Sequence, residues 1–270
     1  MSRVLSFVLL PLFYPVHVAG VGGGNLTVVD LGYAVYTGIH NSTTGLHVWK
    51  GIRYAAPPVG TLRWQAPQPL SPTPNITTAP VTADQFGPAC PQAFPMYAHA
   101  GAPLFVAGDE DCLFLNVYAP APTNIALKLP VVVVIHGGGY GEGDGAQDMS
   151  PFINTNDNSF IAVVIQYRLG AFGFLASREV GEKGVLNAGL LDQRAALEWV
   201  RDYVGLFGGD KQRVTVMGEC GGAGSVLLHV LAPGDVTGGL FQNKKYIQEI
   251  EKGLRRGVEK GEGMAGGKRL

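Results

Sequence analysis

The chain has 270 residues, of which 46% are hydrophobic and only 15% charged, with a formal net charge of −1. Soluble domains carry roughly 25% charged residues and disordered chains are polar and charge-rich, so this composition excludes a disordered protein. The lack of net positive charge argues against a protein that binds nucleic acid through a basic face. The length is sufficient for one large α/β domain or two small ones.

The first 20 residues have the features of a secretory signal peptide. A basic start at Arg3 precedes an apolar run over residues 4–14, and small residues lead to a cleavage point after Gly20. A buried N-terminal helix is the alternative. The run is too short to span a bilayer and is interrupted by proline, so we expect no transmembrane anchor. Three Asn-X-Thr triplets are candidate N-glycosylation sites and fit a secreted protein; they begin at Asn25, Asn41 and Asn75.

The first third of the mature chain predicts edge strands and loops. Residues 28–36 and 46–54 have the pattern of short strands, which we expect at an antiparallel edge. Residues 55–82 are dense in proline and predict irregular surface. In a secreted protein, Cys90 and Cys112 either form a disulfide or remain two separate buried thiols.

The centre of the chain alternates apolar strands with helical patterns. The predicted strands cover residues 131–135, 161–165 and 214–217. Continuous β-branched runs of this kind are typical of a parallel sheet that is covered on both faces. The predicted helices cover residues 190–203, with Asp192 near the helix start, and residues 223–232. This alternation predicts an α/β fold.

The turn after the third apolar strand has the pattern of a nucleophile elbow. Gly218, Cys220 and Gly222 match G-x-S-x-G with cysteine in place of serine, between a strand and a helix. The flanking glycines allow a strained central residue, and the helix N-terminus favours an anion at that residue. The sequence therefore predicts a nucleophile at Cys220.

A second glycine-rich turn, His-Gly-Gly-Gly-Tyr at residues 136–140, directly follows the first apolar strand. Glycines there expose backbone N–H groups that can stabilise an oxyanion, and the N–H of Gly221 would complete such a site. A phosphate-binding loop is the alternative, but neither G-x-G-x-x-G nor a P-loop pattern fits these residues. The turn therefore favours acyl transfer over nucleotide binding.

These turns belong to a longer series of motifs over roughly residues 26–241. In chain order the series is Gly-Ile-Arg-Tyr-Ala-Ala-Pro-Pro (51–58), Leu-Arg-Trp (62–64), Phe-Gly-Pro-Ala-Cys (86–90), Glu-Asp-Cys-Leu-Phe-Leu-Asn-Val (110–117), residues 136–140, Gln-Tyr-Arg-Leu-Gly-Ala-Phe-Gly-Phe (166–174), Asn-Ala-Gly-Leu-Leu-Asp-Gln (187–193), and Phe-Gly-Gly-Asp (207–210) leading into residues 214–226. In these motifs the sequence resembles the type-B carboxylesterases, the cholinesterase and secreted-lipase group of α/β-hydrolases.

The resemblance implies an α/β-hydrolase fold with a mostly parallel central sheet flanked by helices, of which this chain has the N-terminal portion. It also implies a disulfide between Cys90 and Cys112 and oxyanion donors at Gly138, Gly139 and Gly221. The expected substrate is a small-molecule or lipid ester, attacked by the residue at position 220. No cofactor or metal is expected, because nucleotide loops, CxxC and HxxxH patterns are absent from the sequence.

Two departures from the family pattern lower the expected activity. The family has serine where this chain has Cys220, and its acidic residue and histidine follow the nucleophile in a C-terminal half that we expect to be missing here. Charge marks this boundary, because twelve of the last 29 residues are charged against 29 of the first 241. We therefore divide the chain into a signal peptide (1–20), a truncated carboxylesterase domain (21–241) and an unrelated charged tail (242–270). A basic amphipathic helix is the alternative for the tail.

The remaining histidines offer no evident general base. His229 would lie nine residues along the same helix as Cys220, roughly 13 Å away along the axis. His136 is expected to brace the glycine turn, and Glu219 to hydrogen-bond inside the fold to a group such as Ser225. His40, His47 and His99 lie in the N-terminal region without a supporting motif.

Three functions follow from these observations. The first is a carboxylic-ester hydrolase by descent, whose present chain we expect to be inactive. The second is a non-catalytic cholinesterase-like binding domain, and the third is a non-functional fragment. The sequence gives no indication of oligomeric state and no sign of a nucleic-acid partner.

Overall fold

The structure is a computed structural model that describes residues 27–70, 79–93, 105–106, 108–232 and 239–247. The predicted signal peptide, the candidate glycosylation sites Asn25 and Asn75, His99 and residues 248–270 of the tail lie outside these ranges. Among the described residues, no helix is both long enough and apolar enough to cross a bilayer.

The described part of the chain alternates strands and helices. The strands are β1 (Val28–Asp30), β2 (Val35–Thr37), β3 (Ile39–Asn41), β4 (Leu46–Arg53), β5 (Val81–Thr82), β6 (Gln92–Ala93), β7 (Phe105–Val106), β8 (Phe114–Pro120), β9 (Leu129–Ile135), β10 (Ile161–Ile165), β11 (Gly209–Glu219) and β12 (Asn243–Ile247). The α-helices are α1 (Ser150–Asn154), α2 (Gly170–Phe174), α3 (Arg178–Lys183), α4 (Ala188–Tyr203) and α5 (Gly221–Leu231), and short 3₁₀ turns cover Gly60–Leu62 and Val204–Phe207.

The central sheet has seven strands in the order β12-β11-β9-β10-β8-β4-β3. The four strands from β12 to β10 run parallel, whereas the pairings of β10 with β8, β8 with β4 and β4 with β3 are antiparallel. The sheet within the described residues is therefore mixed and less parallel than the sequence predicts. The prediction missed β8 because the buried Asn116 interrupts its apolar pattern; Asn116 instead accepts the Gly51 amide at 2.8 Å and donates to the Gly145 carbonyl at 2.8 Å.

Apolar layers cover both faces of this sheet. Alternate residues of β10 pack on opposite sides: Ile161, Val163 and Ile165 join the core under α4 and α5, whereas Ala162 and Val164 join the core under α1. This two-sided burial explains why the parallel strands lack an apolar–polar alternation. The predicted strands at residues 131–135, 161–165 and 214–217 and both predicted helices are confirmed, with small changes at their ends.

A buried ion pair joins the base of α4 to the segment after β10. Arg168 donates from Nε and Nη2 to Asp192, both at 2.7 Å, and the Arg168 backbone amide also reaches this carboxylate at 3.1 Å. The side chains of Arg168 and Asp192 are 3% and 0% exposed. The sequence placed Asp192 at a helix start for its interaction with the helix dipole, but its carboxylate instead neutralises a buried guanidinium.

The sheet continues past the boundary that the charge pattern predicts at Phe241. The strand Asn243–Ile247 pairs in parallel with Thr215–Glu219 of β11. Gln242, directly before β12, also bonds to β11. Its backbone amide donates to the Val214 carbonyl at 2.9 Å, and its side-chain oxygen accepts the Val214 amide at 2.8 Å. A strand at a sheet edge requires only backbone partners, so the exposed Lys244 and Lys245 are compatible with it.

The N-terminal strands are antiparallel, as predicted, but shorter and differently placed: β4 lies between β8 and β3, and β3 forms the edge of the central sheet. Residues 28–36 contain two strands, β1 and β2, which pair antiparallel and belong to a separate three-stranded sheet with β5. The Asp30 side chain accepts the Gly32 amide at 2.8 Å and so stabilises the turn between them. The prediction joined these strands because the four residues between them, Leu-Gly-Tyr-Ala at 31–34, are mostly apolar and leave little trace in the pattern.

Cys90 and Cys112 form a disulfide with a Cα–Cα distance of 5.0 Å, and both residues are buried. Replacing both cysteines with serine is expected to lower the free energy of unfolding by about 3 kcal/mol, because the unfolded chain loses a cross-link over a loop of 22 residues. Urea unfolding of the oxidised proteins measures this difference. Cys220→Ser is the control; an equal loss in that variant would contradict the assignment of the effect to the cross-link.

Candidate active site

Cys220 occupies the sharp turn between β11 and α5. Its backbone has φ 50° and ψ −116°, a conformation that non-glycine residues adopt rarely and at a cost of about 1–3 kcal/mol. The thiol is free and the residue is exposed. The strand before it and the helix after it thus hold a single cysteine side chain outward at a helix N-terminus.

The glycines on either side of this turn are required by close backbone packing. A Cβ added at Gly218 would overlap the carbonyl oxygen of Gly222, and a Cβ at Gly222 would overlap the carbonyl oxygen of Ile135. The end of β9 therefore lies directly against the first turn of α5. The G-x-C-x-G spacing predicted from sequence corresponds to this close approach.

The glycine turn at residues 136–140 forms the wall beside the thiol. Gly138, Gly139 and Tyr140 all have positive φ, and the Gly138 carbonyl accepts the amides of Gly141 and Glu142 at 3.0 and 3.1 Å. A Cβ at Gly221 would lie 3.1 Å from the Gly139 nitrogen, so the amides of these two predicted oxyanion donors are neighbours. Within the described residues, the amides of Gly138 and Gly139 donate no hydrogen bond to a protein acceptor.

The disulfide-bonded segment holds the far end of this glycine turn. The Gln92 side chain accepts the Gly143 amide at 2.7 Å and donates to the Gly143 carbonyl at 2.8 Å. The Ala93 amide also donates to the Gly141 carbonyl at 2.7 Å. We call these contacts the Gln92 clamp. The sequence carried no motif that pointed to it, because a glutamine next to a proline in a loop has no distinguishing pattern.

His136 braces the glycine turn, the role that the sequence predicts. Its Nδ1 lies 3.0 Å from the Gly137 carbonyl, its ring stacks on Tyr167 with centroids 4.4 Å apart, and Tyr167 donates its hydroxyl to the His136 carbonyl at 2.9 Å. Burial lowers the pKa of His136 below its usual value. These contacts are local to the turn, and no histidine or carboxylate of the described residues hydrogen-bonds to the Cys220 thiol.

His229 and Glu219 do not supply a base either. His229 Nε2 bonds to Gln193 Oε1 at 2.9 Å, and Gln193 donates to Ser225 Oγ at 3.0 Å, so the three side chains join α4 to α5. The predicted bond between Glu219 and Ser225 is wrong: Ser225 is buried and bonded to Gln193, whereas Glu219 is exposed. Glu219 is the last residue of β11.

The other histidines lie at the antiparallel side of the sheet. His47 is buried and bonds to Thr123 Oγ1 at 2.7 Å, and its register partner across the strands is His40. Desolvation by burial lowers the pKa of His47. Neither histidine belongs to the strands and turns that form the elbow. Among the residues that the structure describes, no group of three or more His, Cys, Asp or Glu is arranged to hold a metal ion.

Comparisons with known proteins agree with this geometry. The family model described as "Carboxylesterase family" matches residues 27–246, which is most of the chain. The chain belongs to the carboxylesterase family. The para-nitrobenzyl esterase of Bacillus subtilis is 40% identical over 200 residues, and the match covers 73% of this chain and 39% of that protein. The juvenile hormone esterase of Tribolium castaneum is 41% identical over 194 residues, covering 72% of this chain and 31% of that protein.

Solved carboxylesterase structures have the same fold. The crystal structure of Aspergillus niger EstA superimposes with a TM-score of 0.70 and 40% identity, covering 80% of this chain and 40% of that one. A thermophilic para-nitrobenzyl esterase structure gives a TM-score of 0.67 at 39% identity. The predicted α/β-hydrolase fold is confirmed. This carboxylesterase chain spans well under half the length of the relatives it matches.

The bridge through His229 predicts that this carboxylesterase chain loses stability in mild acid. Burial, followed by the charge of Arg194, lowers the pKa of His229 from 6.5 to about 4. Above pH 6.5 the His229 imidazole is neutral in both the folded and the unfolded chain. As the pH falls towards 4, the imidazole of the unfolded chain is protonated before that of the folded chain. The free energy of unfolding is therefore expected to decrease by about 3 kcal/mol over this interval and to level off below it.

Urea unfolding of the wild type and His229→Gln at pH 7 and pH 4.5 tests this expectation. The variant should lose less stability between the two pH values than the wild type. His40→Gln changes an exposed histidine outside the bridge and is the control; it should retain the part of the loss that depends on His229. Equal losses in the wild type and His229→Gln would contradict the prediction.

Proposed function

We propose that this chain carries the acyl-accepting site of a carboxylic ester hydrolase, with Cys220 as the nucleophile. The observation that supports the proposal is the backbone at Cys220, held at φ 50° between two glycines at the start of α5. This strain persists only where the surrounding packing enforces it, as the contacts of Gly218 and Gly222 do. The expected substrates are small-molecule or lipid esters, in keeping with the esterase relatives.

In the proposed acylation, the Cys220 Sγ attacks the ester carbonyl carbon and the carbonyl oxygen becomes an oxyanion. The amides of Gly138, Gly139 and Gly221 stabilise this charge, and the positive end of the α5 dipole acts in the same direction. Collapse of the intermediate breaks the bond between the carbonyl carbon and the alkoxy oxygen. The alcohol leaves with the proton that the Cys220 thiol gives up, and a thioester at Cys220 remains.

We infer that the present chain stops at this thioester. Hydrolysis of the thioester requires a water molecule activated by a general base. Among the described residues, His229 on α5 is bonded to Gln193, His136 after β9 contacts the Gly137 carbonyl through Nδ1, and no histidine hydrogen-bonds to the Cys220 thiol. The chain is therefore expected to acylate once and not to turn over.

Incubation with p-nitrophenyl butyrate tests the proposal. We expect release of one nitrophenolate per chain without steady turnover, and one butyryl group on Cys220 by mass spectrometry. Iodoacetamide should label Cys220 faster in the folded chain than in urea. Cys220→Ala should abolish acylation and labelling, and Cys220→Ser should not restore turnover, because serine at this position depends even more on a base.

Two results would overturn parts of this proposal. If Cys220 is labelled no faster in the folded chain than in urea and carries no acyl group, the site is not an acyl acceptor, and a non-catalytic binding domain becomes the better description. If steady hydrolysis occurs and Cys220→Ala abolishes it, the chain contains a base that the geometry does not reveal.

We also propose that the protein is secreted and glycosylated. The Cys90–Cys112 disulfide supports an oxidising compartment, because such bonds are rare in reducing ones. Asn41 lies at the start of a polar surface turn, where its side-chain oxygen accepts the amides of Thr43 and Thr44 at 3.0 and 3.3 Å. Expression in a secreting eukaryotic host should give a product whose mass falls on treatment with a glycosidase, and Asn41→Gln should reduce that change.

A further inference from the structure

Two histidines lie side by side across the hairpin of β3 and β4. His40 and His47 are register partners, so both side chains project from the same face of the sheet. Their ring centroids lie 5.2 Å apart, with the ring planes at 78°. His40 is exposed, whereas His47 is only 1% exposed. The pair therefore combines one ring that is held by packing with one that is free to turn at the surface.

The held ring has one nitrogen oriented by an oxygen and the other available. His47 Nδ1 lies 2.7 Å from Thr123 Oγ1, and among the described residues His47 Nε2 makes no hydrogen bond. Unlike Nε2 of His136, this atom is not sealed from solvent. When Nδ1 donates to the Thr123 hydroxyl, Nε2 carries the lone pair. Metal-binding histidines typically have this arrangement, in which a neighbouring oxygen fixes the tautomer and the ring orientation.

The spacing of the two rings fits a single metal ion between them. A metal–nitrogen bond of about 2.0–2.1 Å places the ion about 3.2 Å from a ring centroid, so two rings at tetrahedral positions have centroids about 5.2 Å apart. The observed separation is 5.2 Å. The ring torsion of a histidine is broad, so the exposed His40 can direct a nitrogen at the ion without movement of its strand.

The ligand atoms determine which ions suit the pair. Imidazole nitrogen suits Cu²⁺, Ni²⁺ and Zn²⁺, whereas Ca²⁺ and Mg²⁺ require oxygen ligands. Burial, followed by the charge of His40, lowers the pKa of His47 and favours the neutral imidazole that binds metal.

We propose that His40 and His47 together bind one divalent transition metal ion, with Cu²⁺ bound more tightly than Ni²⁺ or Zn²⁺. Within the described residues no third His, Cys, Asp or Glu joins the pair, so water completes the coordination of the ion. Local patterns such as HxxxH do not reveal this pair, because strand register brings the two histidines together. The site is separate from the elbow and does not depend on the proposed acyl transfer.

Copper titration tests the proposal, with Trp49 as a reporter. Trp49 follows His47 on the same face of β4, and their ring centroids are 6.0 Å apart, so paramagnetic Cu²⁺ at the pair should quench its fluorescence. The full chain carrying Cys220→Ala is the parent protein, because the exposed thiol is itself a copper ligand. At pH 7 we expect calorimetry to show one Cu²⁺ bound per chain and the loss of tryptophan emission to saturate at the same ratio.

Variants in this parent protein separate the pair from other copper ligands. His40→Ala changes an exposed residue and should raise the half-saturating Cu²⁺ concentration by about tenfold or more. Thr123→Val removes the hydroxyl that orients His47 and should weaken binding by about tenfold, whereas Thr123→Ser should retain it. His229→Gln changes a histidine outside the pair and is the matched control, so its affinity should equal that of the parent. Circular dichroism confirms that each variant is folded.

Zn²⁺ gives a second measurement that does not use fluorescence. An ion that joins β3 to β4 binds the folded chain more tightly than the unfolded one, so saturating Zn²⁺ should raise the urea midpoint of the parent and not that of His40→Ala. Two outcomes would overturn the proposal. Equal Cu²⁺ affinity in the parent and His40→Ala would place the ion elsewhere, and the absence of both Cu²⁺ binding and quenching would leave the two rings as a packing contact only.

Discussion

Asp192→Asn is expected to lower the free energy of unfolding by about 3–5 kcal/mol, because it leaves the Arg168 guanidinium buried without a counter-charge. The carboxylate accepts three hydrogen bonds from Arg168, and both side chains are shielded from water. Urea unfolding with linear extrapolation measures the loss. Asp202→Asn removes an exposed partner of Arg201 and should change stability by less than about 1 kcal/mol.

A second substitution separates the buried charge from simple loss of packing. Replacing the pair together, as Arg168→Met with Asp192→Leu, removes both charges and keeps apolar volume in the site. This double variant should recover part of the stability that Asp192→Asn loses, because no uncompensated charge remains. If the double variant is less stable than Asp192→Asn, packing and hydrogen bonding outweigh the buried charge, and the explanation is wrong.

Gly222→Ala is expected to destabilise the chain by about 3 kcal/mol or more and to slow iodoacetamide labelling of Cys220. The added Cβ overlaps the Ile135 carbonyl oxygen and also lies 2.8 Å from the His136 carbonyl oxygen, so the end of β9 and the start of α5 must separate. Backbone atoms cannot rotate away as a flexible side chain can. Separation of these elements moves Cys220 away from the glycine turn.

The control for this substitution is Gly205→Ala. A Cβ at Gly205 meets nothing within 4 Å, so this change should alter stability by less than about 1 kcal/mol and leave labelling unchanged. Thermal unfolding and the labelling rate are measured on the same samples. A Gly222→Ala protein with wild-type stability would contradict the close packing at the elbow.

The sequence predicts the parallel part of the fold well, because its strands are buried on both sides and stand out as uninterrupted β-branched runs. Residues 161–165 are the clearest case, since the predicted and observed strand ends coincide. The antiparallel part is harder to predict. In β8, the buried Asn116 breaks the apolar run, and its hydrogen bonds to Gly51 and Gly145 become visible only when the segments are brought together in space.

The candidate site likewise has features that the sequence predicts and features that it does not. Cys220 and its flanking glycines are evident from sequence, because the elbow imposes a fixed local spacing. The hydrogen-bond partner of Ser225 is not evident from the sequence, because Gln193 lies on another helix and no local pattern links the two residues. The sheet edge at β12 was missed for a third reason: charged side chains suggest the end of a fold, but backbone hydrogen bonds do not depend on them.

The Gln92 clamp has a practical consequence for work on the thiol. Gln92 lies two residues after Cys90, so the disulfide that fixes this segment also fixes Gly143 and the end of the glycine turn beside Cys220. A strong reductant added to keep Cys220 in its thiol form would therefore also reduce the Cys90–Cys112 disulfide and loosen the glycine turn that this disulfide helps to hold. Reactivity at Cys220 should be assayed after the reductant has been removed, when the thiol is free and the turn is still cross-linked.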